Sequence, residues 1–588
     1  MENITKQDTM PFGKAEAEAA MALLGRYKSG KASLEERIKE ENLWWRRRHF
    51  DSYKKDGTRV PAGAQLFNAV ESKIADVYDN SPECSFLARS EDDEKTAALL
   101  TDIMPAVLEQ NGMEKAFLAE TREKITCGTG VYTVIWNDQK QGGVGDIEIR
   151  SVSPLNLYWE PGVSDIQESP ALFFVDIVPN EVLLDKYKNL EGKLGKNGVM
   201  VTEYIFDDAV DSSKRTAVID YYYKRGGKLH YAKICAGEVL YASENDEEYA
   251  TRGWYDHGKY PFVFDVLFPL PGSPCGFGYV TVGKEQQYQI DRLSNAIVRN
   301  AIIASTRRKY VRRDANINEA DLLDIEKDVV LVGGSRDVRE SVMTIDEPTL
   351  SGTYVNVLSL LESTLKETTA TRDFTQGGVS GGVTSGTAIS ALIEAGSKHT
   401  RAIVRASYNA YKEVVTLAFE LMRQFYDTER VYRIKGEDGG ISYRSFDNSM
   451  VAPKTVSVAG IDMGTKQPVF DIEIVPHKRS PFARVTQNTM MQEFYGMGFF
   501  NPDNAPQALS CLDGMEFEGK DSLCRKIEES GSVYKENEQL KQAIVRLASA
   551  LDAEKGTNMA AQMAASFGIN TGGAMGTGTA SVQNSGVI

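Results

Sequence analysis

The chain has 588 residues, of which 42% are hydrophobic and 26% are charged, and its net charge is −16 at pH 7. This composition is typical of an ordinary folded globular protein, and the length suggests several structural units. The acidic balance excludes a protein whose whole surface binds nucleic acid tightly, because Lys and Arg supply most of the affinity for phosphates.

Membrane, disulfide and metal classes are also disfavoured by the sequence. The most apolar short run, PFVFDVLFPLP at 261–271, contains Asp265 and three prolines, so we expect no membrane span, and the N-terminus lacks a signal-peptide core. The six cysteines form no CxxC pair, and we expect reduced packing residues in an intracellularly folded protein. They are Cys84, Cys127, Cys235, Cys275, Cys511 and Cys524. The five histidines are scattered, so we expect no metal and no cofactor.

The first fifth of the chain has the pattern of helices. Residues 15–50 predict helix, with Ser33 and Glu36 as a capping box, and further helices are predicted at 65–82 and 94–127. From Gly130 the pattern changes to β-branched and aromatic runs punctuated by Gly, Pro and Asn. These runs are 131–136, 145–152, 171–178, 201–206, 216–223 and 228–235. A largely antiparallel β region joined to helices predicts an α+β fold.

Two amphipathic helices with a small insertion between them are predicted next. The first covers 282–306, and the second covers 348–370. Their apolar stripes are Ile290, Leu293, Ile297, Ala301 and Ala304, and Tyr354, Leu358, Leu361 and Leu365. The insertion of about forty residues has two strand-like runs around a short helix. The whole is a helical hairpin with an α/β tip.

The stretch TRDFTQGGVSGGVTSGTAISAL at 371–392 raises the possibility of a phosphate-binding loop. It aligns with GxxxxGK[ST] from Gly377, but Val383 stands where the pattern requires Lys, and the preceding residues are helical rather than a buried strand. Residues 374–393 carry no charged side chain, and their glycines favour many backbone conformations. The stretch is either a neutral, flexible loop with a specific task or an ordinary surface loop.

A helical pattern of about forty residues follows the loop, and its apolar face runs from Ile389 to Phe425. Strands return beyond 430, and residues 481–555 are predicted helical. Positions at alternating four and three spacing in the last helix form a seam of three heptads that is apolar except for one asparagine: Val533, Asn537, Leu540, Ile544, Leu547 and Leu551. This C-terminal seam indicates either contact with a neighbouring helix or one more packed helix. Residues 556–588 are predicted to be disordered.

The order of these parts resembles the portal proteins of tailed double-stranded DNA bacteriophages. The matching elements are the stripe-bearing helix, the forty-residue tip, the returning helix, the Gly/Ser/Thr-rich loop and the long helix beginning TSGTAISAL. Further similar stretches are ENLWWRRRHFDSY, LFNAVESKIADVY and SVSPLNLYWEPGVSDIQESPALFFV. The resemblance covers about residues 30–480, and the order is more specific than any one motif.

The resemblance implies a division of the chain. The N-terminal helical region and β-rich wing would be 1–278, the stem helices 279–304 and 347–370, the clip 305–346, the tunnel loop 371–386, the long wing or spine helix 387–429, the wing strands 430–480, the helical crown-like region 481–555, and the tail 556–588.

The resemblance also implies a function without enzymatic activity. Twelve copies would form a ring at a single capsid vertex of the virion, assembled in the host cytoplasm, through which double-stranded DNA is packaged and ejected. The expected partners are other copies of the chain, the terminase large subunit, the head–tail adaptor, scaffold and the major capsid protein, with no membrane. A neutral constriction suits this task, because basic groups lining the channel would retain DNA.

Two sets of candidate site residues follow. The tunnel loop would face DNA with Thr375, Gln376, Gly377, Gly378, Ser380, Gly381, Gly382 and Thr384. The clip carries the basic run Arg307, Arg308, Lys309, Arg312 and Arg313, with the acidic residues Asp321, Asp324 and Glu326 as possible partners. The basic run either pairs between subunits, contacts the adaptor or DNA, or is a solvated edge strand in which charge discourages aggregation.

Two other functions remain open from the residues. The first is a nucleotide-binding enzyme that uses the Gly-rich loop. The second is another minor head or tail component of a virion.

Overall fold

In the computed structural model of the protein, the described residues are 12–50, 61–194, 214–305, 309–311, 318, 320, 342–344, 352–370, 398–435, 441–458, 461–476, 491–501, 504–514, 520–555 and 559–567. They belong to two compact units, Met1–Lys478 and Arg479–Ile588.

The first unit mixes helices and strands. Its helices are α1 (Lys14–Trp45), α2 (Gln65–Tyr78), α3 (Glu94–Gln110), α4 (Met113–Cys127), α5 (Asn180–Lys186), α6 (Glu247–Arg252), α7 (Tyr279–Ser305), α8 (Gly352–Thr368) and α9 (Lys398–Phe425). Its strands are β1 (Pro82–Ala88), β2 (Thr129–Asn137), β3 (Asp146–Ser151), β4 (Leu157–Trp159), β5 (Ala171–Pro179), β6 (Arg215–Arg225), β7 (Lys228–Cys235), β8 (Glu238–Ala242), β9 (Phe262–Val266), β10 (Phe268–Pro269), β11 (Gly276–Phe277), β12 (Lys309–Val311), β13 (Val342–Thr344), β14 (Arg430–Lys435), β15 (Ile441–Phe446), β16 (Lys454–Val458), β17 (Ile461–Lys466) and β18 (Phe470–Pro476).

The described strands pair antiparallel, as the sequence predicts. The largest sheet is the meander β4-β5-β6-β7-β8, and β3-β2-β9 form a second sheet. β1 pairs with the distant β18, with Cys84 opposite Ile474. The expected run at 201–206 lies outside the described residues. The α+β fold class is therefore consistent with the structure.

The main core lies between the three-stranded sheet and the helices α2, α3, α4 and α9. The predicted apolar face of α9 is confirmed in its described part, since Ile403, Tyr411, Val414, Ala418 and Leu421 are all buried. A second core lies between α1 and the five-stranded sheet. The earlier part of the predicted long helix, 387–397, lies outside the described residues.

The predicted capping box at Ser33 and Glu36 is wrong, because α1 runs through it without a break. The helix begins after Gly13, whose N–H donates to Glu16 Oε2 at 2.9 Å. Burial explains the continuity: α1 buries residues at three and four spacing along its length, and this outweighs the poor helix propensity of its glycines.

The single helix predicted at 94–127 is two helices, α3 and α4. Gly112 has φ of +84°, a left-handed conformation that favours glycine, and it separates the two. Asn111, the last residue before Gly112, donates both its backbone N–H and its Nδ2 to the Val107 carbonyl, at 3.1 and 2.9 Å.

The second unit is helical in its described part. Its helices are α10 (Ala505–Asp513), α11 (Lys520–Lys555) and α12 (Met559–Ser566), and a small core contains Phe494, Leu512 and Ile527. α12 corrects the expectation of disorder in its segment of the tail. Its sequence MAAQMAAS consists mainly of strong helix formers, which explains the helix despite the low-complexity composition. Residues 568–588 lie outside the described residues.

The six cysteines are free thiols, as expected, and Cys84, Cys127, Cys235 and Cys275 are buried. Cys511 is exposed on α10, so it is not the packing residue that the sequence suggested.

Candidate functional site

The helices α7 and α8 form a pair. The N-terminal half of α7 forms hydrogen bonds with residues at the beginning of α2, and we call this anchored part the base of the pair. Gln287 Oε1 accepts from Leu66 N–H at 2.9 Å, and Asp291 Oδ1 accepts from Gly63 N–H at 2.7 Å. His49 Nε2 lies 3.0 Å from Asp291 Oδ2 in a buried pair. The side chains of α7 thus satisfy amide groups at the beginning of α2 that have no partner within that helix.

Close packing at this base depends on Gly283 of α7. A Cβ atom there would lie 2.7 Å from Leu66 Cδ1 and 3.2 Å from Leu365 Cδ1 of α8. Leu365 and Ile290, both members of the predicted stripes, are buried. The base of the pair therefore behaves as the sequence predicts.

The outer half of the pair is different, because it leaves large apolar side chains in solvent. Asn295 Nδ2 donates to the Pro61 carbonyl at 3.0 Å, and α7 continues beyond that contact to Ser305, a length of about 15 Å at 1.5 Å per residue. The exposed apolar residues of the pair are Val298, Ile302, Tyr354, Val355, Val357 and Leu360. Large exposed apolar groups on neighbouring helices indicate a surface that a partner covers.

The tip between α7 and α8 is described only in part. Within it, β12 and β13 pair antiparallel, and Lys309 lies opposite Thr344. This pairing agrees with the two predicted strand-like runs. Of the predicted clip residues, Arg307, Arg308, Arg312, Arg313, Asp321, Asp324 and Glu326 lie outside the described residues. Pairing between the basic and acidic groups stays a prediction.

The predicted tunnel loop, from Thr375 to Thr384, also lies outside the described residues, but the chain on both sides of it is described. On the N-terminal side, Lys73 Nζ donates to the Ala370 carbonyl at 3.3 Å. On the C-terminal side, Thr400 Oγ1 donates to Asp76 Oδ2 at 3.1 Å.

Ala370, directly before the loop, and Thr400, at the beginning of α9, are therefore tied to one helix, α2, at positions three residues apart. Lys73 Nζ and Asp76 Oδ2 also lie 3.7 Å from each other. Desolvation raises the pKa of Asp76, while the Lys73 charge and the Thr400 hydrogen bond oppose that rise. Lys73 and Asp76 belong to the stretch LFNAVESKIADVY, and no pattern in the sequence indicates that they contact residues on either side of the loop.

A buried polar cluster positions α9, the helix that leads away from the loop. Lys124 Nζ of α4 lies 2.6 Å from Asp265 Oδ1 of β9, and both side chains are almost completely buried. The same Nζ donates to Ser407 Oγ at 2.8 Å and to the Ile403 carbonyl at 3.4 Å, both on α9.

Glu120 completes this cluster. Glu120 Oε2 accepts a hydrogen bond from Tyr132 O–H at 2.7 Å. The absence of a side chain at Gly130 leaves room for Glu120 Oε1, because a Cβ atom on residue 130 would lie 2.2 Å from that oxygen. Burial, and then the nearby Asp265 charge, raise the pKa of Glu120 well above its usual range. Lys124 and Asp265 form the oppositely charged pair of the cluster, while burial beside Asp265 disfavours the charged form of Glu120.

The C-terminal seam lies on α11 in the second unit. Leu540, Ile544, Leu547 and Leu551 are exposed, and Asn537 is exposed beside them. Val533 lies on the same helix, but its side chain lies outside the described part. Within the described residues, the predicted stripe therefore has no covering element, which favours contact with another helix over simple packing.

Among the residues that the structure describes, no group of His, Cys, Asp and Glu side chains is arranged to hold a metal ion. None of the described helices combines the length and the apolar character needed to cross a bilayer.

The exposed apolar side chains of the α7 and α8 pair and of the C-terminal seam are typical of a protein that is a subunit of a larger assembly. The family model for the phage P22-like portal protein matches residues 68–263 and 294–567, so the chain belongs to that family. No curated protein matches the chain significantly. Family membership makes it a structural phage portal protein and implies a homo-oligomeric ring through which DNA passes.

Proposed function

We propose that twelve copies of this chain form the portal ring at a single capsid vertex, through which double-stranded DNA is packaged and later ejected. The chain belongs to the P22-like portal family. The structural observation that supports the proposal is the helix pair α7 and α8, whose base is anchored and whose outer half exposes apolar side chains. Neighbouring copies in a ring would cover Val298, Ile302, Tyr354 and Leu360.

The loop at 371–386 is proposed to form the constriction around DNA. Its support is chemical: residues 374–393 carry no charge, and low affinity for a moving polyanion needs few cations in the channel wall. The two ties to α2, at Lys73 and Asp76, support the same role, because they fix Ala370, directly before the loop, and Thr400, near the beginning of α9, to the same helix.

The tip is proposed to dock the terminase large subunit during packaging and the head–tail adaptor afterwards. Scaffold and the major capsid protein would contact the ring during assembly in the host cytoplasm. In this proposal the chain has no catalytic role, and ATP hydrolysis belongs to the terminase.

The mass of the purified protein in solution tests the ring. Light scattering coupled to size exclusion should give about twelve times 65.0 kDa, and negative-stain images should show axial rings. A stable species of 65.0 kDa at micromolar concentration would count against the proposal. Clear thermal stabilisation by ATP with magnesium would favour a nucleotide-binding enzyme instead.

A further inference from the structure

The two-stranded ribbon of β14 and β15 has two faces of different character. Residues alternate between the two faces along each strand, so Val431, Arg433 and Lys435 of β14 share one face with Ile441, Tyr443 and Ser445 of β15. We name this the outer face. The register places Arg433 opposite Tyr443 and Val431 opposite Ser445. The opposite side of the ribbon is the inner face.

The inner face is fixed to the first unit. Tyr432 and Phe446 are buried, and the Arg430 guanidinium lies 3.9 Å from the centre of the Tyr426 ring. Arg430 Nη2 also donates to the Gly145 carbonyl at 2.9 Å. On the same face, Arg444 Nε lies 3.5 Å from Asp102 Oδ2 of α3. These contacts determine which side of the ribbon faces the core.

The outer face consequently presents its large side chains to solvent. Val431 is 65% exposed, Ile441 is 61% exposed and Tyr443 is 68% exposed, and Arg433 is exposed among them. Neighbours on one face of an antiparallel pair lie within reach of each other. A tyrosine and an arginine beside β-branched residues have the composition of the centre of a protein–protein interface.

We propose that this outer face is a contact between neighbouring copies of the chain. The inference rests on the proposed ring, in which every copy needs surfaces for two neighbours. Charge favours a second copy as the occupant, because the face carries the cation of Arg433 and each chain has a net charge of −16. DNA fits poorly, since Val431, Ile441 and Tyr443 form an exposed apolar surface, and the two basic positions of the face, Arg433 and Lys435, offer few phosphate contacts.

Adjacent residues of β15 provide a matched test. Tyr443→Asp places a carboxylate on the outer face, whereas Ser442→Asp places the same charge at an exposed position on the other face. We expect Tyr443→Asp to raise the concentration needed for half-maximal ring assembly by roughly tenfold or more, and Ser442→Asp to change it little. Circular dichroism of both variants checks that the fold is retained.

A photo-crosslinking side chain at position 443 of the full chain gives a second measurement, even if Tyr443→Asp misfolds. Irradiation of assembled rings should yield a species of twice 65.0 kDa. If the unmodified chain forms rings, equal assembly of both Asp variants or absence of the crosslinked dimer would overturn this inference alone. If the unmodified chain forms no rings, the proposed function fails with it.

Discussion

Replacing Lys124 by Met tests how firmly the buried cluster holds α9. The substitution keeps an unbranched side chain of similar length but removes the positive charge that lies 2.6 Å from Asp265. Asp265 would remain almost fully buried without its partner, and breaking a buried pair in this way costs about 3–5 kcal/mol. The hydrogen bond to Ser407 would be lost as well.

Urea unfolding followed by circular dichroism would measure the change in the free energy of unfolding of the first unit. Hydrogen exchange over residues 398–425 would locate it, and we expect faster exchange near Ile403 and Ser407, the two residues that Lys124 contacts.

The double variant Lys124→Met with Asp265→Asn is the control. It should recover part of the loss, because it removes the Asp265 charge that Lys124→Met leaves without its partner. A loss below about 1 kcal/mol for Lys124→Met, or an equal loss in the double variant, would refute the reasoning that the buried charge pair fixes α9.

Three further predictions concern the channel, the pH dependence and the seam. Gln376→Lys should slow DNA packaging severalfold, with a gap that narrows at higher salt, and Gln376→Asn should not; equal rates would contradict a neutral constriction. Burial raises the pKa of Glu41 to about 7, so wild-type stability should fall by up to about 3 kcal/mol between pH 4.5 and 7, as the carboxyl loses a proton that the folded state favours. The urea midpoint of Glu41→Gln should decrease less than that of the wild type between pH 4.5 and 7. The same decrease in both proteins would refute the raised pKa of Glu41 as its cause. Leu547→Glu should weaken ring association, whereas Gln542→Glu, which adds the same charge elsewhere on α11, should not; light scattering at falling concentration compares them.

Periodic elements could be predicted from the sequence because their burial follows local spacing. The stripe of α9 is an example, with Ile403 and Val414 buried as their positions indicate. The stripe of α7 is confirmed only at its base, since Ile290 is buried but Ala301 is exposed. The ends of helices were harder to predict from the sequence. Gly112 ends a helical pattern because it adopts a left-handed backbone conformation. α1 continues past Ser33 because its buried face stabilises the helix there.

Contacts between distant parts of the chain could not be predicted. β1 pairs with β18, and Lys124 meets Asp265 and Ser407, yet no local pattern relates these segments. The two ties from α2 to the flanks of the glycine loop are of the same kind, because Lys73 and Asp76 look like ordinary surface charges on an amphipathic helix.

A cryo-electron microscopy reconstruction of the purified full-length chain tests the central claim most directly. It should show a closed ring with the α7 and α8 pairs of adjacent copies packed together and residues 371–386 around the central opening. A monomeric particle, or a ring in which residues 371–386 lie at the outer rim, would contradict a portal with a neutral constriction.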